Sequence, residues 1–438
     1  MAPEGLAVPA RPLRIWLRAL GALWMMLAPT MISVFTPLSE SGNAYVETTF
    51  ESLLAQTHRD WEWVVLENHG GRLPECIGEH PQVRVFEDSE LEGLGALKRA
   101  CCEQCDGEIL FELDHDDLLH PEALQRTFEA LQHAEVAFSD FAEFRDGDWT
   151  PDGYRPDYGW QHYPTSFQGH ELMAMSAPPA TAQNLRRIDY CPHHLKAWRR
   201  DAYLKIGGYD ATLVYAEDQD LLKRFFLLGH RFAHLQTPLY FYRIHARQTM
   251  AKHSLLVDEC NWQVYEKYIL ALGLKFADEQ RLHKLELCHV SETHGACRAF
   301  GKPLGIDLGA RWPLADHSVG VIRAEDVLQQ LVDPVHVMNE AYRVLAPGGF
   351  FLIRVPSTDG RGAFQNPLNV SFWNEHSFWY YTRSSHSRHI PGFSGRFQEA
   401  RLRTFFPDEF SKQNAIPYVE AHLIALKPGY QAMGPVLI

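Results

Sequence analysis

The segment FELDHDDLLHP (111–121) places three carboxylates, Asp114, Asp116 and Asp117, behind a run of apolar residues and ahead of Pro121. Carboxylates this close repel one another, so a cation would stabilise the cluster. Mg²⁺ or Mn²⁺ takes oxygen ligands from one or two side chains and completes its shell with water or diphosphate oxygens. An acidic helix start gives the same pattern with no ligand, because Asp is favoured at the positive end of the helix dipole. A second acidic cluster, Glu217, Asp218 and Asp220 in YAEDQDLLKRFFLLG (215–229), opens an amphipathic helix. A carboxylate held there could take the proton of an attacking hydroxyl as a general base. Helix capping is the alternative.

Composition narrows what these acids could serve. The chain has 438 residues, 46% hydrophobic and 22% charged, an ordinary globular balance for two or three domains. Its formal net charge is −14 with no long Lys/Arg run, which argues against a nucleic-acid partner. An anionic nucleotide ligand would therefore need a metal or local cations. Cys101, Cys102 and Cys105 lie close together among eight cysteines. Without a second Cys/His pair they read as packing on a helix, and the chain as a reduced, cytoplasmic protein. Residues 13–30 are apolar but broken by Arg14 and Arg18, short of the ~20 residues that span a bilayer. The fold is expected to begin at Met31, with 1–30 an extension; peripheral membrane contact stays open.

The elements that must position the acids alternate. MISVFTPL (31–38), WEWVVLEN (61–68), VRVFED (83–88), EILFELD (108–114) and VAFSDFAEF (136–144) read as strands. Helical spacing fills 44–57, 93–105 and 121–132, the last opened by Pro121. This order predicts an α/β domain over 31–250, a largely parallel sheet with helices on both faces. Ligands of such sheets sit beyond the carboxyl ends of the strands, where Thr36, Glu67, Asp88 and Asp114 fall. Residues 145–190, rich in Pro, Gly, Tyr and Trp, read as a long loop region. A helix follows at 217–229, a strand at 231–245, and a helical linker at 251–282.

Taken in order, ISVFTPL, FESLLAQTHRDWEWVVLEN, LDHDD, IGGYD, AEDQDLLKR and YRIH resemble family 2 glycosyltransferases, inverting enzymes of the GT-A fold. The resemblance runs from about Ile32 to His245. It implies a nucleotide-sugar donor and an Mg or Mn ion. The acceptor would be a saccharide, a lipid-linked sugar or a protein. It assigns Asp218 as catalytic base. Asp114 and Asp116 match the acids that hold nucleotide ribose and metal, with Asp117 the acid that follows. Thr36 and Pro37 match the strand end beside the nucleobase. Glu67 stands where the family more often has Asp contacting the nucleoside. Lys98, Glu217 and Arg243 fall where side chains could reach the donor, Arg243 as a phosphate partner. His245 is a candidate metal ligand. Trp198 and Arg199 precede the IGGYD turn, a stretch that often borders the acceptor pocket in this family; packing is an equal alternative for the Trp.

Residues 283–438 read differently. KPLGIDLG (302–309), ADHSVGVI (315–322) and NEAYRVLAPGGFFLI (339–353) resemble class I methyltransferases that use S-adenosylmethionine. The resemblance implies a smaller Rossmann-like domain with a tight turn at Pro347-Gly348-Gly349. Asp307 would match the ribose-binding acid and Asp316 the acid near adenine; both could equally be surface turn residues. The glycine-rich cofactor loop is missing: LELCHVSETHG (285–295) carries Cys288-His289 where glycines are expected. Two readings follow, a docking module with no methyl transfer and a bifunctional enzyme that glycosylates and methylates a surface polysaccharide. A non-catalytic carbohydrate-binding or scaffold protein is a third. The aromatic tail 357–382 could line a sugar pocket or simply pack.

Overall fold

The computed structural model describes residues 31–152, 160–187, 192–288 and 295–430. The extension expected at 1–30 and His289 lie outside these residues.

Four parallel strands form the first half of the larger sheet: β1 (Ile32–Leu38), β2 (Trp61–Glu67), β3 (Val83–Glu87) and β4 (Ile109–Glu112), in the order β3-β2-β1-β4. β1 is almost wholly buried, which fits its mostly apolar run; its Ser33 hydroxyl is satisfied by Glu62. Helices α1 (Val46–Leu54) and α2 (Leu94–Gln104) supply crossovers. Cys101 and Cys102 pack on α2 inside the core, and burial pushes the nearby Cys105 thiol up to about 12. All three are inert packing side chains.

Beyond β4 the sheet becomes mixed. β5 (Val136–Arg145) and β6 (Lys196–Arg199) follow, with β6 antiparallel to both β4 and β5. The long strand β7 (Phe232–Ile244) runs parallel to β5. The sheet is therefore mixed rather than largely parallel. The expected loop 145–190 contains a hairpin, Gln161–Phe167 with His170–Ser176, whose second strand joins β5. Trp198 on β6 is fully buried against Phe35, Tyr203, Tyr209 and Phe225, so it fills the core instead of bordering an acceptor. Arg199 next to it is exposed and pairs with Asp201.

Helix α3 (Glu217–Leu227) precedes β7, and α4 (Thr249–Glu279), kinked by non-helical backbone at His253, follows it. The second sheet has six strands in the spatial order 298–301, 283–288, 319–325, 345–356, 418–425, 397–405. The first four are mutually parallel and the last two antiparallel. The expected turn at Pro347-Gly348-Gly349 lies inside the Leu345–Pro356 strand. There Gly348 has φ +74° and the pairing jumps from Leu345 to Phe350. One buried cluster runs through both units: Leu272, Phe276 and Ala277 of α4 meet Val321, Phe350 and Leu352 of the second sheet. A Cβ at Gly320 would fall 2.6 Å from that of Ala277, so only glycine lets helix and sheet approach this closely. No helix among the described residues is long and apolar enough to cross a membrane.

Candidate active site

The acidic loop 113–117 is held in place by backbone and side-chain bonds from three elements. Thr36, at the end of β1, donates its hydroxyl to Leu113 O at 2.7 Å and accepts the Trp63 indole N–H at 2.9 Å. His115 Nδ1 lies 3.0 Å from Pro37 O. Asp117 is fully buried and accepts the Tyr240 hydroxyl at 2.7 Å and the Arg243 N–H at 2.8 Å. Burial, with Asp116 and Asp114 beside it, holds its carboxyl well above the usual range. Asp117 is thus the acid that fastens the loop to β7.

Asp114 and Asp116 face a different environment. The Asp114 carboxylate is half-buried and accepts no hydrogen bond from another described residue; its backbone N–H donates to the Tyr240 hydroxyl. Burial, only partly countered by Lys98, raises its pKa. Burial also acts upward on Asp116, but His115 and His245 more than reverse it and leave it below the ordinary value. His245 Nε2 lies 2.8 Å from Asp116, while its Nδ1 accepts the Arg247 N–H at 3.2 Å. With Nδ1 so engaged, a neutral ring carries its proton on Nε2 and donates it to Asp116. His245 in this state orients the acid; ligating a metal through Nε2 would require the other tautomer.

Arg243 was expected to meet a phosphate, but its guanidinium is committed within the chain. It donates to Asp116 O at 2.7 Å, Asp146 at 2.9 Å and Thr48 at 3.1 Å, and lies over the Tyr45 ring. Its fork braces the acidic loop. Glu67 is similarly occupied, accepting the Leu73 N–H at 2.6 Å and pairing with Arg72. Thr36 offers no free hydroxyl either, since both of its bonds are structural. Asp88 accepts the Glu90 and Leu91 N–H groups of its own turn.

The second acidic motif comes to the same place through a buried ionic chain. Lys98 on α2 pairs with Glu112 at 2.9 Å and with Glu217. Lys196 on β6 lies 2.8 Å from Glu112 and 2.7 Å from Asp218. Tyr209 donates its hydroxyl to the other oxygen of Glu112. The order is Glu217–Lys98–Glu112–Lys196–Asp218, and Glu112 stands two residues before Asp114. Burial pushes Asp218 upward, but Lys196, then Lys98, outweigh it and hold its carboxyl far below the ordinary value. Asp218 keeps 26% of its side chain exposed, against 8% or less for Glu112, Lys98, Lys196 and Glu217. It is the member of the chain open to a ligand. Asp220 is spent differently: it is buried and accepts from Tyr268 and Lys267, tying α3 to α4.

Local backbone explains the placement. Ala216, just before α3, adopts φ +62°, a left-handed conformation costing about 1 kcal/mol or more for a residue with a Cβ. The Leu94 and Gly95 N–H groups at the start of α2 donate to Val214 and Leu213 carbonyls at 2.9 and 3.0 Å. A Cβ on Gly95 would sit 2.2 Å from Asp210 O. The helix bearing Lys98 and the loop leading to Glu217 are therefore pressed together backbone to backbone.

Sequence reading missed Glu112, Lys196 and Tyr209. Glu112 was visible as a charge inside a strand otherwise buried, and that anomaly was the available signal. Among the described residues no group of three or more His, Cys, Asp or Glu is arranged to hold a metal ion. Asp114 and Asp116 still offer carboxylates on one loop. One or two carboxylates plus diphosphate oxygens is a donor set Mg²⁺ accepts, so these residues fit a cation that arrives with an anionic ligand.

In the second domain, the strand end where the cofactor loop was expected is Cys288. Strands 283–288 and 298–301 are adjacent and parallel, with Cys288 opposite Gly301. Residues 289–297 connect them, of which 289–294 lie outside the described residues. Asp316 pairs with Arg343 at 2.6 Å. Asp307 accepts the Gly309 N–H of its own turn. The two acids expected to hold the cofactor are thus engaged in local structure.

Residues 33–206 match the model of the glycosyl transferase family 2, and residues 294–353 match a methyltransferase domain model. The O-antigen biosynthesis protein RfbC of Myxococcus xanthus is 25% identical over 228 residues, 50% of this chain and 16% of that protein. Chondroitin synthase of Escherichia coli is 23% identical over 59% of this chain and 35% of its own length. The putative glycosyltransferase EpsH of Bacillus subtilis (strain 168) is 24% identical over 65% of this chain and 81% of its own. The chain thus spans well under half the length of the first two. Among solved structures, S. aureus TarS 1–349 in complex with UDP-GlcNAc aligns with a TM-score of 0.44 at 17% identity, covering 57% of this chain and 71% of that one.

Proposed function

With a family 2 glycosyltransferase domain over 33–206 as premise, we propose that the chain is an inverting glycosyltransferase that moves a sugar from a nucleotide-sugar donor to an acceptor hydroxyl. The observation that carries this reading is the ionic chain from Asp218 to Glu112, which brings a partly exposed, ionised carboxylate to the loop of Asp114 and Asp116. Asp114 and Asp116 would hold a divalent Mg or Mn ion, which neutralises charge on the departing diphosphate when bound. Asp218 accepts the proton of the acceptor hydroxyl. The acceptor oxygen forms its bond to the anomeric carbon as the bond to the diphosphate oxygen breaks, the leaving group taking the electron pair. One displacement inverts that carbon.

Two of the relatives are named for the synthesis of O-antigen and of chondroitin. A saccharide chain is accordingly the acceptor class proposed here, over a lipid-linked or protein acceptor. Thr36, Pro37, Glu67, Lys98, Glu217 and Arg243 serve this site by fixing its walls and charges; their expected direct donor contacts remain subordinate to that role. The second domain supports the glycosyltransferase as a packing partner, and no methyl transfer is derived from it.

The test is a donor panel scored by nucleotide release with Mn²⁺ and an oligosaccharide acceptor. We expect release from one donor class, a fall of about 10²–10⁴ for Asp218→Asn, and loss of metal-dependent donor binding for Asp116→Asn. Unchanged activity in Asp218→Asn removes the base assignment. No binding or turnover of any donor leaves the non-catalytic carbohydrate-binding reading in its place.

A further inference from the structure

Resting on the glycosyl-transfer reading, a further residue is given a role by the geometry around Asp218. Lys196 Nζ lies 2.7 Å from Asp218 Oδ2, and the Gln219 N–H donates to Oδ1 at 2.7 Å. Both oxygens are thereby fixed, leaving the solvent-facing lone pairs for a ligand. A carboxylate bound only to a cation would resist protonation. Lys196, however, has a second anion, Glu112, at 2.8 Å. When Asp218 takes a proton, the ammonium keeps a full counter-charge and is never left buried and unpaired, the state in which a buried charge is strongly destabilising.

We infer that Lys196 is a positioning residue for the proton-accepting step: it aims Asp218 and hands its charge to Glu112 as Asp218 becomes neutral. The register supports this, since Lys196 stands directly opposite Glu112 across β6 and β4. A lysine there joins the strand that leads into the acidic loop to the helix that carries the base. The groups facing Asp218 are Lys196 from β6, Glu112 from β4, Lys98 from α2, Glu217 from its own helix and His194 from the segment before β6. Lys196 and Lys98 favour the ionised acid; Glu112 and Glu217 oppose it. His194, which burial keeps neutral, adds little.

Two measurements test the role, one of them independent of turnover. Carboxyl-carbon NMR of ¹³C-aspartate-labelled protein, with Asp218→Asn to assign the resonance, follows the titration of Asp218. Lys196→Met should move its midpoint upward. In steady-state kinetics, the acidic limb of the kcat profile should move to higher pH. At neutral pH kcat should fall about tenfold or more while the donor KM stays within about twofold, the pattern of an interaction made in the transition state. Lys196→Arg should recover much of the loss. A purely structural lysine would instead change protein yield and KM with the pH limb in place, which overturns the inference, as does an unmoved NMR midpoint. If Lys196→Met does not fold, Lys196→Met with Glu112→Gln keeps the net charge and gives the same readouts. Should the parent chain turn over no donor, the functional reading fails while the NMR result still decides this one.

Discussion

Replacing Lys98 with methionine isolates the energetics of the buried ionic chain. The Lys98 ammonium is shared by Glu112 and Glu217, with side chains 6%, 3% and 3% exposed. At an effective dielectric near 20, unit charges 2.9 Å apart attract by roughly 6 kcal/mol before desolvation is subtracted. Removing one partner of such a buried pair costs about 3–5 kcal/mol, because the remaining charge stays buried. Two carboxylates are left behind here, which favours the upper part of that range. At about 2–4 °C per kcal/mol for a domain near 200 residues, the melting temperature should drop by about 10 °C or more. The deficit should also depend on pH. Burial already raises Glu217, and without Lys98 both Glu217 and Glu112 are pushed higher in the folded state. A folded state that holds protons more tightly than the unfolded one loses stability as pH rises above the unfolded carboxylate pKa of about 4.3. Thermal unfolding followed by circular dichroism at pH 5 and pH 8 should show the wider gap at pH 8. A loss below about 1 kcal/mol, or a gap that ignores pH, would refute a buried ionic chain.

Gly95→Ala should destabilise the chain by about 1–3 kcal/mol in urea unfolding, since its Cβ would meet Asp210 O at 2.2 Å; an unchanged midpoint means α2 and the 210–214 loop are not in contact. Asp117→Asn should lower stability with little change in metal dependence, because this acid serves Tyr240 and Arg243; a selective loss of Mn²⁺ response would show it to be a ligand. Adding S-adenosylmethionine at 1 mM, roughly the weak end of ordinary cofactor affinities, should leave the melting temperature unmoved; a saturable upward shift would restore the methyltransferase reading.

How far the sequence reveals this site follows from the range over which each signal acts. Asp114, Asp116 and Asp218 stand out as candidates because their signal is local: acids clustered at a strand end or a helix start. Lys196 was not, because its meaning depends on an antiparallel register that sets it opposite Glu112, 84 positions away in the chain. Arg243 and Thr36 were located at the right strand ends, yet their bonds run into the loop itself, which only the three-dimensional arrangement reveals. The strands β1, β2 and β4 were legible from mostly apolar runs, and β3 from the short pattern VRVFE. The hairpin at 161–176 was not: QHYPTSF carries Pro164 and little apolar alternation, as an edge strand does. Likewise, Trp198 and the IGGYD turn suggested a pocket wall, whereas a fully buried indole has no surface left to offer one.

The helix from Thr249 to Glu279 packs against α3 of the first unit and against the second sheet, so neither flank is complete alone. Severing the chain near residue 282 would strip Phe276 and Ala277 of their cover and bare Val321, Phe350 and Leu352 on the other piece. Each fragment would be sticky, and a silent fragment would say nothing about which half performs the reaction. Questions about the role of the carboxyl-terminal half are therefore better put to single side chains within the intact polypeptide.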